Sequence, residues 1–224
     1  MIHKKSIFPL IWSTIALLFV PFYCETLGED IGSGPKLTPR ARHEVKSVYD
    51  GDSILLDSGE KVRYLGIDTP EIDHSGGKSQ FMAHAAKDLN VKLVNRARVR
   101  LEYDRKRRDR HGRVLAYVFL EDGQMVNAIL LRKGLAHLMF KRPNFKYFSF
   151  LLSCQRQAME KRIGIWSRNP KKGEKFYLGN RNSYRFHRPG CPFGRNMREE
   201  SEVHFKTPYD AFWEGYSPCR RCMP

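Results

Sequence analysis

Acidic residues and cysteines are both scarce in this sequence of 224 residues. It has 24 Asp and Glu against 40 Lys and Arg, a formal net charge of +16. Such a surplus favours a polyanionic partner, with nucleic acid ahead of an acidic membrane surface, although a soluble, self-repelling surface is the alternative. The cysteines number five, and three of them cluster near the C-terminus. This odd, uneven set argues against a disulfide framework and favours a metal site.

A long uncharged apolar run occurs at the start of the chain, from about Ile7 to Cys24, after the basic pair Lys4 and Lys5. This layout is typical of a secretory signal, and the run is close to the length that spans a bilayer. Residues 1–24 are therefore predicted to be a signal peptide or an N-terminal anchor. An extracytoplasmic location is expected, with membrane attachment through residues 7–24 if the segment is retained. Residues 25–42, rich in Gly and Pro, are predicted to be a linker.

The next segment predicts a small β-barrel. Three β-prone runs from Glu44 are separated by Asp50-Gly51 and Ser58-Gly59, which are hairpin signals. A helical pattern over 78–94 follows, and then an alternating strand in which Val99 and Leu101 share the apolar face. A fifth strand is expected over 113–123, and helices over 125–136 and 145–166. Because this order is no βαβ repeat, we expect an α+β, mainly β, fold: a five-stranded OB-type barrel with about three helices.

Carboxylates collect in two loops of this basic chain, in Asp-Gly-Asp-Ser (50–53) and Ile-Asp-Thr-Pro-Glu (67–71). In a three-strand meander the two loops can meet, so Asp52, Asp68 and Glu71 are expected to converge. Converging carboxylates repel unless a cation compensates them, and oxygen ligands suit Ca²⁺ or Mg²⁺. Pro70 keeps Thr69 extended, which aims its carbonyl at the same cation. Ordinary turn chemistry is the alternative for each motif alone.

Two arginines complete a candidate hydrolytic site. Arg63 lies on the third strand, and Arg113 follows Gly112 at the start of the fifth. A guanidinium binds phosphate oxygens bidentately and keeps its charge. A metal, two arginines and one spare carboxylate are the groups that phosphodiester hydrolysis requires. A solvated surface charge is the alternative for either arginine taken singly.

The ordered motifs DGDS, VRYLGIDTPE, DRHGRVLAYV, VNAILLRKGLA and GIW resemble the staphylococcal-nuclease family over about residues 44–168. The resemblance implies an OB-type barrel and Ca²⁺-dependent cleavage of DNA and RNA that leaves 3′-phosphate ends. It also implies Ca²⁺ ligands at Asp52, Asp68 and Thr69, a general base at Glu71, and phosphate contacts from Arg63 and Arg113. Nucleic-acid contacts are expected at Arg110, His111 and Phe140, although His111 and Phe140 replace tyrosines of the family.

A second small domain is predicted at residues 184–224, after the nuclease-like domain (43–168) and a connector (169–183). His187, Cys191, Cys219 and Cys222 form two close pairs that suit a tetrahedral, structural Zn²⁺ site, with a disulfide as the alternative. The segment resembles the zinc-binding module of the Ada DNA-repair protein, with His187 in place of one cysteine.

Three functions compete on the sequence alone. The first is an extracytoplasmic, Ca²⁺-dependent nuclease acting on DNA or RNA. The second is a non-catalytic OB-fold protein that binds nucleic acid, and the third is a membrane-surface protein. The presence of the whole set Asp52, Arg63, Asp68, Glu71 and Arg113 favours the nuclease.

Overall fold

The computed structural model describes residues 41–168 and 173–222. The predicted signal or anchor (1–24) and nearly all of the predicted linker lie outside these residues. The elements of the first range, in chain order, are β1 (Arg42–Asp50), β2 (Ser53–Leu56), β3 (Lys61–Tyr64), β4 (Gly66–Asp68), α1 (Ala83–Val94), β5 (Arg98–Glu102), β6 (Val114–Phe119), α2 (Val126–Arg132), β7 (His137–Met139) and α3 (Phe148–Glu160).

Five of these strands form a closed barrel in the order β1-β2-β3-β6-β5, which confirms the predicted OB-type architecture. The two predicted turns join antiparallel neighbours, β1 to β2 and β2 to β3. β3 then pairs parallel with β6, and β5 pairs with β1 to close the sheet. The short strands β4 and β7 form a separate antiparallel pair in which Asp68 lies opposite His137.

The barrel interior is filled by the apolar face that the alternation predicts. On β5, Val99 and Leu101 are buried. Glu102, at the end of the polar face of this strand, is also buried, because the segment before α3 covers it. Its carboxylate accepts hydrogen bonds from the Arg100 guanidinium at 3.1 Å, from the Tyr147 hydroxyl at 2.6 Å and from the Lys146 ammonium group. A carboxylate buried in an interior of low polarity needs several hydrogen-bond donors, and Glu102 has them.

The helices differ from their predicted bounds at their ends. The helix expected from residue 78 begins at Ala83, because Met82 adopts the left-handed conformation (φ 68°). α2 ends near Gly134, and α3 is followed by a 3-10 turn at Gly164–Ser167. Gly134 and Gly164 touch: a Cβ on either one would clash with the backbone of the other segment, and both have positive φ. The Ile165 N–H donates to the Gly134 carbonyl at 2.7 Å and ties the two helix ends together.

The second range forms a C-terminal module with its own small core. Its elements are β8 (Tyr177–Asn180), β9 (Arg185–His187), α4 (Pro192–Arg195), β10 (Glu202–Phe205), α5 (Pro208–Trp213) and β11 (Ser217–Pro218). The strands form one sheet in the order β10-β8-β9-β11. The expected connector over 169–183 is therefore wrong in its second half, because β8 is a central strand of the module sheet.

The module packs against α3 of the barrel. The buried Gln155 accepts a hydrogen bond from the Leu138 N–H and donates one to the Phe212 carbonyl, both at 2.6 Å. The Tyr184 ring lies 5.3 Å from Phe145 and 5.2 Å from Phe148, measured between ring centroids. Polar and aromatic contacts together thus fix the module on one side of the barrel.

Among residues 41–168 and 173–222, no helix has the length and apolar character needed to cross a membrane.

Candidate active site and metal centre

The candidate active site begins with the contact of two loops at one end of the barrel. Gly51, in the turn between β1 and β2, packs so tightly that a Cβ there would lie 2.7 to 2.8 Å from Thr69 and Ala86. This close approach brings the turn against the end of β4. The Thr69 N–H consequently donates to the Asp52 carboxylate at 2.9 Å, and the predicted meeting of the two loops is observed.

Asp52 and Asp68 are both buried and lie on either side of the Arg63 guanidinium. One Nη of Arg63 is 2.9 Å from the Asp52 carboxylate, and the other donates to Asp68. Arg63 also donates to the carbonyls of Tyr64 at 3.0 Å and Ile67 at 2.9 Å. These backbone contacts fix the guanidinium plane at the mouth of the site.

Electrostatics in the site depend on burial and on the neighbouring charges. Burial raises the pKa of the Asp52 carboxyl to about 7; the Arg63 charge opposes this shift, whereas Asp50 and Asp68 add to it. Burial also disfavours ionisation of Asp68, but Arg63, His137 and Arg220 outweigh it and hold the pKa of Asp68 below its usual value. A divalent cation beside Asp52 would stabilise its ionised form. The carboxylate oxygens of Asp52 and Asp68 therefore fit a hard cation.

Glu71 differs from these carboxylates because it faces solvent, with 65% of its side chain exposed. Its backbone is held by a pair of hydrogen bonds with Gln80. The structure thus places one accessible carboxylate three residues beyond the buried Asp68, as the sequence predicts, and water can reach it.

Arg113 reaches the same end of the barrel from the turn before β6. Gly112 has φ 76°, which allows this tight turn. The Asp109 carboxylate accepts from Arg113 Nε at 2.8 Å and from the backbone N–H groups of His111 and Arg113. Arg110 and His111 are exposed on the turn, where Arg110 Nε lies 3.1 Å from His111 Nε2. All of these side chains line one cleft with Arg63.

The predicted nucleic-acid contact at Phe140 is wrong. Its side chain is 2% exposed, and its ring packs against Phe145 and Phe148 at centroid distances of 5.2 and 5.0 Å. The aromatic cluster between barrel and module encloses the ring, so it has no face to offer a base.

Two arginines of the C-terminal module also line the cleft, and the sequence prediction missed both. Arg220 donates to the two Asp68 oxygens at 3.2 Å and lies 3.8 Å from Glu71. Arg185, on β9, donates to the Pro218 carbonyl at 3.0 Å. The adjacent basic pair Arg220-Arg221 between two cysteines was the only local signal that could have drawn attention to Arg220.

The four predicted zinc ligands come together. The ligand atoms of His187, Cys191, Cys219 and Cys222 all lie within 4.8 Å of one another. All three cysteines are free thiols, so the alternative of a disulfide is not observed. Cys191 Sγ lies 3.5 Å from His187 Nδ1, and the Arg188 N–H donates to Cys222 Sγ at 3.4 Å.

The chemistry of this cluster suits zinc. Burial lowers the pKa of His187, with the Arg185 charge adding to the effect, so the imidazole is kept neutral and able to bind a metal. Burial raises the pKa of Cys191, but hydrogen bonds from the Gly194 N–H and from the Cys222 thiol outweigh it and lower the pKa. Three sulfurs and one nitrogen at this spacing are the ligand types found in structural zinc sites.

Comparison with known proteins finds a matching family for each of the two parts of the chain. Residues 61–168 match the family described as "Staphylococcal nuclease homologue", and residues 162–224 match the "Metal binding domain of Ada". The chain is 41% identical to a thermonuclease of Staphylococcus intermedius over 145 residues, which are 61% of this chain and 86% of that protein.

Two further relatives extend the comparison. A thermonuclease of Staphylococcus hyicus is 35% identical over 161 residues, 70% of this chain and 94% of that protein. The endonuclease YncB of Bacillus subtilis is 36% identical over 144 residues, 59% of this chain and 68% of that protein. The closed barrel, the two buried aspartates and these similarities lead to one conclusion: the chain belongs to the staphylococcal nuclease homologue family.

Proposed function

We propose that this protein is a Ca²⁺-dependent nuclease that hydrolyses phosphodiester bonds of DNA or RNA and leaves 3′-phosphate ends. The observation that carries the proposal is the pair of buried aspartates, Asp52 and Asp68, held on either side of Arg63 with the exposed Glu71 beside them. Relatives named thermonuclease and endonuclease support the nuclease activity. The net charge of +16 suits the polyanionic substrate.

In this proposal each residue has one task. Asp52, Asp68 and the Thr69 carbonyl hold the Ca²⁺ ion, which when bound neutralises negative charge on the phosphoryl oxygens. Glu71 accepts a proton from the attacking water, a role that its solvent exposure allows. Arg63 and Arg113 donate hydrogen bonds to the phosphate, and Asp109 and the Tyr64 and Ile67 carbonyls keep the two guanidinium groups oriented.

Two supporting parts complete the proposal. Arg110 and His111, exposed on the turn beside Arg113, contact the nucleic acid near the cleaved bond. His187, Cys191, Cys219 and Cys222 hold a structural Zn²⁺ ion that stabilises the C-terminal module. An extracytoplasmic location stays a prediction, since it depends on residues outside the described ranges.

The test compares the whole protein with its Glu71→Gln variant on single-stranded DNA and RNA, after dialysis and with Ca²⁺ added back. Loss of a positioned general base should slow cleavage by about 10² to 10⁴-fold. Glu121→Gln is the matched control, because Glu121 is also exposed (59%) but pairs with Arg42. Its rate should equal that of the wild type.

The chemistry of the product ends and the binding of nucleic acid distinguish the nuclease from a protein that only binds nucleic acid. A 3′-phosphate end resists extension by a polymerase until a phosphatase removes the phosphate, so extension only after phosphatase treatment is the expected result. Tight, salt-sensitive binding without cleavage in any divalent metal would refute the nuclease and leave a non-catalytic OB-fold nucleic-acid-binding protein.

A further inference from the structure

The nuclease site opens into a strongly basic cleft of about 340 Å³ between the barrel and the C-terminal module. The barrel side of the cleft contributes six basic side chains: Arg63, Lys106, Arg110, Arg113, Lys141 and Arg142. Asp109 is the single acidic residue among the lining side chains, and Arg113 pairs with it. A cleft with this charge concentrates polyanions near the candidate site.

The module side of the cleft carries Arg185 and Arg220. Arg220 extends furthest into the candidate site, because its guanidinium contacts both oxygens of Asp68 at 3.2 Å and lies 3.8 Å from Glu71. The side chain is nevertheless 67% exposed. Most of this side chain is therefore accessible to a second anion, although the Asp68 carboxylate that it contacts is buried.

The backbone of Arg220 is anchored by the module. Arg220 lies between two of the proposed zinc ligands, Cys219 and Cys222. The Cys219 N–H donates to the Phe186 carbonyl at 2.9 Å, and β11 runs parallel to β9 directly before it. The guanidinium of the neighbouring Arg221 instead lies over the Phe193 ring, 5.7 Å from its centre.

We propose that Arg220 is a phosphate-binding residue of the nuclease cleft, and that the C-terminal module forms the second wall of the nucleic-acid-binding surface. The inference rests on the proposed nuclease function and extends it to a domain outside the barrel. A strand lying in the cleft meets Arg63 and Arg113 on one side and Arg220 on the other. Because Arg220 is held between zinc ligands, the zinc centre sets the position of a substrate-binding group.

The first test measures binding apart from cleavage. The anisotropy of a fluorescein-labelled, single-stranded oligothymidylate is recorded with three proteins. They are the Glu71→Gln variant and the two double variants that combine Glu71→Gln with Arg220→Ala or with Arg221→Ala. Loss of one charge-assisted contact should raise the Kd roughly 10-fold for Arg220→Ala. The slope of log K against log salt should also become shallower by about 0.7, the value of one phosphate contact on a single strand. Arg221→Ala, which removes the same charge from the adjacent residue, should stay within about twofold of its parent.

The second test separates phosphate binding from a structural or inhibitory role. With Glu71 intact, Arg220→Ala should raise KM more than it lowers kcat, and Arg220→Lys should restore part of the loss. Zinc content equal to that of the wild type shows that the module has kept its fold. An unchanged Kd would overturn the proposal. So would faster cleavage at low Ca²⁺, because Arg220 would then merely occupy Asp68 in competition with the ion.

The two proposals fail separately. If the wild type does not cleave but Arg220→Ala still weakens binding, the nuclease function is refuted and the role of Arg220 as a phosphate contact is supported. If the wild type cleaves and Arg220→Ala binds normally, the nuclease function is supported and the role of Arg220 as a phosphate contact is refuted.

Discussion

Replacement of Gln155 by Met tests what holds the C-terminal module on the barrel. Met has nearly the same size and shape, so the change removes the amide without opening a large cavity. It leaves the buried Leu138 N–H without its acceptor, whereas the Phe212 carbonyl loses one donor and still accepts from the Gly215 N–H at 2.9 Å. An unsatisfied buried N–H costs about 1 to 3 kcal/mol and the lost bond to Phe212 about 1 kcal/mol, while the more favourable burial of the thioether offsets part of the sum. We expect the free energy of unfolding to fall by about 1 to 3 kcal/mol.

The assay is urea unfolding followed by both fluorescence and circular dichroism. Gln157→Met is the matched control, because Gln157 is exposed on the same helix and its replacement should change stability by no more than about 0.5 kcal/mol. Two separate transitions in Gln155→Met would indicate that the module unfolds apart from the barrel. A free energy of unfolding equal to that of the control would refute the view that Gln155 fastens the two parts together.

Three further predictions concern residues described above. Burial raises the pKa of Glu102, but its hydrogen bonds outweigh burial and lower the pKa below 4.5. The ionised carboxylate therefore contributes to stability above pH 4.5, and this contribution is lost as the pH falls through the lowered pKa. Glu102→Gln should therefore reduce the fall in stability measured below pH 4.5. Phe140→Ala should cost about 3 to 5 kcal/mol in unfolding experiments; a large rise in the Kd for oligonucleotide, measured where the variant is folded, would contradict the burial of this ring. Cys222→Ser should lower the bound zinc measured by mass spectrometry, while Cys154→Ser, at a buried thiol outside the cluster, should leave it unchanged. Equal zinc in both variants would refute the proposed zinc site.

The local parts of the structure could be predicted from the sequence. Asp50-Gly51 and Ser58-Gly59 indicate the hairpins because tight hairpin turns favour residues, glycine above all, that tolerate a positive φ. The alternation around Val99 and Leu101 determines which face of β5 is buried. The meeting of Asp52 with the β4 loop follows from the meander that these signals imply, and Cys219-x2-Cys222 specifies half of the metal cluster by spacing alone.

What the sequence did not reveal depends on contacts between distant segments. Arg220 and Asp68 are separated by 152 positions, and no local pattern indicates that they touch. Their contact follows from the docking of the module, through Gln155 and the ring of Tyr184. Phe140, which the family resemblance assigns to the substrate, is instead buried against Phe145 and Phe148. Strand β8 was missed because its pairing with β9 and β10 is visible only in the folded sheet.

The contact between Gly134 and Gly164 has a consequence for protein engineering. Each glycine occupies the space that a side chain on the other segment would need, and each also has a positive φ that ordinary residues avoid. Replacing both together therefore gives no relief, unlike a core pair in which one side chain shrinks as the other grows. Libraries that diversify this region should keep both positions fixed, and two glycines that approach in this way offer a pattern for recognising the same helix junction in divergent sequences.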